Sequence, residues 1–282
     1  MTAHSRASEP AAVILSEAKD LMMAATQTNF SKVSLQLTPP VARLTLANPP
    51  VNVIDFAMMD ELVAALEQIE QRPDVFILVL AGSERAFSVG VDVKAHTPDK
   101  VPEMLGKFHS VIRSLLATRK LTIAAVRGNC LGGGAELALV CDLVYTSATA
   151  TWGFPEITLA CFPPVAAVAL SAVVGQKRAA DLTLTGRVFK GDEAASMGLA
   201  NAAVADSEVE AEVQKAVARA AKLSPAAMAM AKKAFYTWDA MHLDKGLARA
   251  EKIYIDELMA TEDAKEGIQA FIEKRQPVWK GK

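Results

Sequence analysis

The strongest chemical signal in the chain is Gly128-Asn129-Cys130-Leu131-Gly132-Gly133-Gly134-Ala135-Glu136-Leu137, where a glycine cluster opens an apolar segment and a carboxylate follows two residues after the last glycine. Glycine accepts positive φ and lets a ligand approach the backbone. The first amides of a helix have no partner within it and carry partial positive charge. A glycine run at a helix start can therefore hold developing negative charge beside an acid or base. Two other glycine motifs fail here. A phosphate loop counted from Gly128 reaches Gly133, but Gly134 and Ala135 stand where Lys and Ser or Thr are required. A dinucleotide fingerprint counted from Gly132 meets Leu137 in place of its third glycine. Taken alone, the stretch fits a tight helix contact with Glu136 on a wetted face equally well.

Thr151-Trp152-Gly153-Phe154-Pro155-Glu156-Ile157 places a second carboxylate twenty residues after Glu136, in an apolar run where a charge is expensive to bury without a purpose. Two carboxylates facing one another are the expectation. A third segment, Ala86-Phe87-Ser88-Val89-Gly90-Val91-Asp92-Val93, follows the strand-like run Val75-Phe76-Ile77-Leu78-Val79-Leu80. It lies at that strand's exit, where its amides can form the second half of an oxyanion site.

Joined in this order and spacing, Phe-Ser-x-Gly-x-Asp at 87–92, Gly-Gly-Gly-x-Glu at 132–136 and Pro-Glu-Ile at 155–157 give the chain a resemblance to the crotonase (enoyl-CoA hydratase/isomerase) superfamily over about residues 33 to 282. The resemblance implies an α/β fold, a spiral of β-β-α repeats with a C-terminal helical trimerisation region, assembled as a homotrimer or a dimer of trimers. It also implies an acyl-CoA substrate, with coenzyme A part of that substrate and no further cofactor. Matched motif to motif, the thioester carbonyl is expected between the backbone N–H groups of Val89 and Gly133. Glu136 and Glu156 take the places of the two glutamates that hold a water and pass protons in the family's hydratases. Retention of both argues for a hydro-lyase; a double-bond isomerase, for which one carboxylate suffices, and a non-catalytic member are the alternatives. Substrate contacts are expected at Gly90, Val91, Asp92, Val93 and Gly132. Lys274 or Lys280 is expected either to meet the CoA phosphates or to lie in a solvated tail.

The chemistry makes the same demand without the resemblance. Syn addition of water across a conjugated double bond takes one proton from water and delivers one to the α-carbon. Two carboxyls at close range push one pKa up, so that they share a proton near neutral pH.

The 282 residues carry a formal net charge of −2, with 51% hydrophobic and 22% charged residues. That is a globular balance with no basic excess, so neither nucleic acid nor an anionic membrane surface is an expected partner. Cys130, Cys141 and Cys161 form no Cys-x-x-Cys pair and leave an odd count, which suits buried thiols in a reducing, cytoplasmic setting. His4, His96, His109 and His242 show no metal-ligand spacing, and no metal is expected. His96 and His109 either approach the substrate or serve as solvated or capping residues. The longest apolar run, Val165 to Val174, falls well short of the roughly 18 residues of a membrane helix. Residues 1–29 read as an extension, too short in its apolar patch for a secretory signal and too acidic for a transit peptide, or as a sequence upstream of a true start at Met22 or Met23.

These segments need elements to hold them. Val33–Leu37 and Ala42–Leu46 alternate around Thr38-Pro39-Pro40 and predict a hairpin. Phe56 to Gln71 has helical spacing, strand 75–80 follows, helix 102–117 precedes strand 121–126, and another strand begins at Leu143. Alternation of this kind predicts a largely parallel sheet with right-handed crossovers. Residues 30–205 thus form the core, and 206–282 a helical region with segments starting after Ser207, at Ser224-Pro225, near His242 and near Thr261.

After Pro-Glu-Ile the family is glycine-rich, whereas here the chain reads Thr158-Leu159-Ala160-Cys161-Phe162-Pro163-Pro164-Val165. Trp152, Phe154 and Phe162 are expected either to line a pocket for a flat or cyclic acyl group or to fill the core. Asn48 to Asp55, the Gly90 to Pro98 loop and Trp238 to His242 resemble one subgroup most, the cyclohexa-1,5-diene-1-carbonyl-CoA hydratases. A short-chain enoyl-CoA is the alternative substrate.

Overall fold

Strand β1 (Val33–Thr38) turns directly into β2 (Val41–Leu46), and the two pair antiparallel with Val33 opposite Leu46. On β2 the alternation places Ala42, Leu44 and Leu46 inside. The structure, a computed structural model, describes residues 30–282 without the side chains of residues 237–242. The expectations for residues 1–29 and for the side chains of Trp238 to His242 lie outside the described residues.

Helix α1 (Phe56–Glu70) is capped by Asp55, which accepts from the Met58 amide, and buries Met58, Met59, Leu62, Leu66 and Ile69 along one face. Three similar turns of chain follow. The first is β3 (Ile77–Ala81), β4 (Ala86–Ser88) and α2 (Val101–Ala117); the second is β5 (Leu121–Val126), β6 (Asn129–Leu131) and α3 (Gly133–Leu139). The third is β7 (Leu143–Ser147), β8 (Thr151–Gly153), a 3₁₀ turn at Pro155–Leu159 and α4 (Pro164–Val174). Each turn leaves one strand in each of two sheets, whose orders are β1-β2-β3-β5-β7 and β4-β6-β8. Within each sheet these later strands pair in parallel. This is the spiral of β-β-α repeats that the resemblance implies. It differs from a single doubly wound sheet because each repeat bends sharply between its two strands.

After α4 come α5 (Gln176–Thr185), β9 (Val188–Lys190), α6 (Gly191–Ser196) and β10 (Ala202–Val204). β9 closes the smaller sheet antiparallel to β8, and β10 closes the larger one parallel to β7. The helical region then begins with α7 (Val209–Ala220), which lays Val209, Val213, Ala216, Val217 and Ala220 onto Ile77, Val79, Ile123 and Tyr145 of the larger sheet. Those positions recur every three or four residues, and their burial makes α7 part of the sheet's core.

Helix α8 (Pro225–Lys252) starts at Ser224, whose Oγ accepts from the Ala227 amide, and runs without interruption past residue 242. The separate segment expected near His242 is therefore the second half of one helix; neither Pro nor a capping residue with its glycine stop stands there to end it. Lys232 of α8 pins it to the sheet, donating to Asp142 Oδ2 and to the Lys120 carbonyl, each at 2.8 Å. One turn of π-helix, Ile253–Glu257, ends α8, and α9 (Glu262–Glu273) starts from the Thr261 cap. Among the described residues no helix is long and apolar enough to cross a membrane.

Candidate active site

The exit of β4, the start of α3, the Pro155–Leu159 turn and the π-helical turn at Tyr254 surround a cavity of about 470 Å³. Both glutamates line it.

Glu136 sits in the first turn of α3 and is 2% exposed. Its Oε1 accepts from the amides of Val165 and Ala166, both at 2.9 Å. These are unpaired amides at the start of α4, where the fixed φ of Pro164 sets the first turn. Burial raises the pKa of Glu136, while the two N–H donors oppose the rise and favour its ionised form. Glu156 is held by a turn that closes through Ala160 in the left-handed conformation, with the Cys161 amide donating to the Glu156 carbonyl at 3.1 Å. Its Oε2 is buried and has no hydrogen-bond partner among the described residues. Burial raises its pKa first and the charge of Glu136 raises it further, and only its own backbone amide opposes the rise. The pair is thus unequal. Glu136 is built to carry the negative charge and Glu156 to hold the proton.

Gly132 joins these carboxyls. Its φ of 52° and ψ of −128° lie where side chains are strained. A Cβ there would stand 2.6 Å from Glu156 Oε1, so glycine is what lets this carboxyl lie against the backbone. Gly134 solves a second close approach, since its Cβ would come within 2.6 Å of the Ser88 carbonyl oxygen as α3 crosses β4.

Of the two expected oxyanion donors, the Gly133 amide is the first of α3 and hydrogen-bonds to none of the described residues. Val89 lines the cavity, but its amide donates to the Val51 carbonyl at 3.2 Å and is already committed. The expectation for Val89 is corrected here: the loop before α1 packs beside the exit of β4 and takes up this donor. Asn52 fixes that loop, donating from Nδ2 to the Ala86 and Phe87 carbonyls at 3.0 and 3.1 Å. The Val91 amide is the alternative. Val91 forms a parallel bridge with Ile54, in which the Ile54 amide donates to Gly90 O and the Asp92 amide to Ile54 O. The amide of Val91 itself is therefore turned away from that bridge. Its side chain lies 2.9 Å from the point where a Gly133 Cβ would stand.

Gly90, Asp92 and Val93 line the cavity, as Val91 and Gly132 do. His96 also lines it, with Nδ1 3.1 Å from the Asp92 carbonyl, and burial lowers its pKa and keeps the imidazole neutral. Phe162 lines it and meets Tyr254 at 5.1 Å between ring centroids. Trp152 does not. Its ring is fully buried in the core and its Nε1 donates to Thr146 Oγ1 at 3.0 Å, so the expectation of a pocket contact is corrected. A buried indole N–H needs an acceptor, and Thr146 of β7 supplies one. Phe154 is likewise buried in the core. His109 is buried and pairs through Nδ1 with Glu251, tying α2 to α8. Lys280 is paired with Glu262 at 2.8 Å, and Lys274 sits in the left-handed position that ends α9; neither lines the cavity. Cys130 is buried, which pushes its thiol up and leaves it inert as a nucleophile. No cluster of three or more His, Cys, Asp or Glu placed for a metal occurs among the described residues.

The motifs leave out Phe108 of α2, Tyr254 after α8 and Phe271 of α9, all of which line the cavity. Phe108 has a signal in the helical spacing of α2. Tyr254 and Phe271 have none, because their approach depends on how the C-terminal helices return to the spiral.

The enoyl-CoA hydratase/isomerase family model matches residues 38–282. The cyclohexa-1,5-dienecarbonyl-CoA hydratase of Thauera aromatica is 35% identical over 251 residues, covering 89% of this chain and 97% of that protein. A probable enoyl-CoA hydratase of Rhizobium meliloti is 40% identical over 243 residues, 85% and 94% of the two chains. Among solved structures, an enoyl-CoA hydratase from Mycobacterium avium subsp. paratuberculosis K-10 superposes with a TM-score of 0.80 at 26% identity, covering 89% of this chain and 99% of that one. With two carboxyls and a free amide at one cavity of a β-β-α spiral, and these likenesses over nearly the whole described chain, the protein belongs to the enoyl-CoA hydratase/isomerase family.

Proposed function

We propose that the protein adds water across the conjugated double bond of an enoyl- or dienoyl-CoA thioester, or removes it in reverse. The observation that carries this reading is the unequal pair: Glu136 braced by two amides and Glu156 with a buried, unpartnered Oε2, both on one cavity. Glu136 takes a proton from water as the oxygen bonds to the unsaturated carbon, and Glu156 gives its proton to the α-carbon. The enolate charge that builds on the thioester oxygen is accepted by the Gly133 amide and, with Val89 committed, by the amide of Val91. Fixed dipoles in a water-poor site stabilise such charge without reorganising, each contributing about 2.7–4 kcal/mol to lowering the barrier. The reading needs no group beyond the substrate's own coenzyme A.

For the acyl group we favour a cyclic diene, cyclohexa-1,5-diene-1-carbonyl-CoA. The Thauera aromatica relative supports this choice, as does the Phe162–Tyr254 wall of the cavity. A homotrimer or dimer of trimers is proposed because α8 leaves Met230 and Phe235 exposed, at 60% and 73%. A monomer in sedimentation velocity would end that part of the reading.

The testing experiment offers crotonyl-CoA and cyclohexa-1,5-diene-1-carbonyl-CoA side by side, follows absorbance and weighs the products. Gain of one water on the cyclic diene is the expected result. Water gained only by crotonyl-CoA keeps the reaction and replaces the substrate, and conversion without change of mass makes the protein an isomerase.

The raised carboxyls also set a pH dependence. Hydration requires Glu136 ionised and Glu156 protonated, so kcat/KM rises with pH through the lower apparent pKa of the pair and falls through the higher one. Both lie above the ordinary glutamate value of about 4.3, so the expected profile is a bell centred near neutrality. A profile flat from about pH 5 to 9 would remove the paired-carboxyl mechanism.

A further inference from the structure

Two buried polar atoms of residues in the wall of the cavity have no well-formed hydrogen bond among the described residues: Glu156 Oε2 and the hydroxyl of Tyr254. An unpaired buried polar group in a native fold calls for an explanation, because leaving it unmade costs the full desolvation of the group. Tyr254 is 1% exposed and is carried by the π-helical turn Ile253–Glu257, at the point where α8 gives up its regular hydrogen bonding. Such turns recur at functional positions because the extra residue re-aims a side chain. Here the ring packs against Phe162, and the residue lines the cavity that the glutamates also line, with its hydroxyl buried. Burial keeps the phenol protonated; the Cys161 thiol beside the hydroxyl adds to that effect, and the two carboxyls add to it further.

We propose that the Tyr254 hydroxyl holds the oxygen that is added as water and leaves as water, donating a hydrogen bond to it. This deepens the hydratase reading and rests on it. One water bridging Glu156 Oε2 and Tyr254 Oη would satisfy both orphaned atoms, and ordered buried waters are held by two or more such partners. During the reaction the water's oxygen bonds to carbon, its proton passes to Glu136, and the proton of Glu156 goes to the α-carbon. Tyr254 keeps its own proton throughout and orients the oxygen. An apolar residue at this position would fill the same space against Phe162 and leave the water with one fewer anchor.

The test compares Tyr254→Phe with the wild type on the acyl-CoA that the wild type hydrates, and measures the Ki of the saturated acyl-CoA of the same acyl group, which carries no such oxygen. Loss of one such hydrogen bond is expected to lower kcat by about tenfold to a hundredfold. The Ki is expected to stay within about twofold, since Phe preserves the ring's packing. Thermal unfolding of the variant should stay close to that of the wild type, because Phe keeps the ring's packing and only one contact to a water is lost. An unchanged kcat overturns the proposal. So does a parallel loss in kcat and Ki, which would mean that Tyr254 only shapes the pocket. A wild type that binds the saturated acyl-CoA and hydrates nothing overturns the hydratase reading and this proposal together, a result distinct from loss in the variant alone.

Discussion

Glu156→Gln is expected to lower hydration turnover by about 10²–10⁴-fold, the usual contribution of a positioned proton donor. Glutamine fills the same space in the turn and can still lie against Gly132, but its amide has no acidic proton to give. Glu136→Gln should lose activity on the same scale for the opposite reason. Its carbonyl oxygen can still accept from Val165 and Ala166, yet it no longer accepts a proton from water. The two losses should not multiply in the double variant, since either single change already disables the pair. Absorbance-monitored turnover checks all three variants, and near-normal rates in both single variants would sink the mechanism. Stability should move the other way. Both carboxyls are raised in the folded protein, so the stability they contribute is complete below the unfolded value of about 4.3 and is lost as pH rises through the folded values. Glu156→Gln removes that loss. Its Tm should therefore exceed that of the wild type at about pH 8.5 and approach it at about pH 5. A variant less stable than the wild type at the alkaline end would mean that Glu156 is braced by contacts the structure does not show.

How much of this is legible in the sequence divides by distance along the chain. Periodicity locates β5 at Leu121–Val126 and α2 at Val101–Ala117 to within a residue, because each element carries its own buried face. The three motifs mark both carboxyls and the glycine cluster, since a charge in an apolar run and glycines in succession are local oddities. Properties set by remote neighbours are not legible. Val89 reads as a free amide because nothing near it announces that the Val51 carbonyl will be placed against it. Trp152 reads equally as a pocket or a core residue because its strand neighbours Glu156 in sequence, while the acceptor that claims its indole sits on β7. The C-terminal region reads as helices of the right length except at residue 242, but that α7 packs on the larger sheet and Tyr254 enters the cavity follows only from tertiary packing. What local pattern misses is consistently the second partner of a contact whose first partner it identifies.

Gly132→Ala is expected to damage both stability and catalysis, and the two effects can be separated. The φ of 52° with ψ of −128° is open to glycine and strained for alanine, a cost of about 1–3 kcal/mol in folding. The added Cβ would also stand 2.6 Å from Glu156 Oε1 and 3.4 Å from its Cδ, so the carboxyl must move. The Cys161 amide holds the Glu156 backbone carbonyl in place, so the side chain has to swing into the cavity and away from its present seat. A displacement of about 1 Å in an acid that must meet the α-carbon lowers turnover by about 10²-fold. Gly106→Ala is the control. Gly106 lies within α2 with open space where its Cβ would stand, so alanine there should raise stability by about 0.5–1 kcal/mol and leave turnover alone. Measured well below its Tm, Gly132→Ala should still turn over about 10²-fold more slowly than the Gly106→Ala protein. If turnover recovers fully once the variant is kept folded, Gly132 serves only the backbone, and the close seating of Glu156 against it is not what aims the proton.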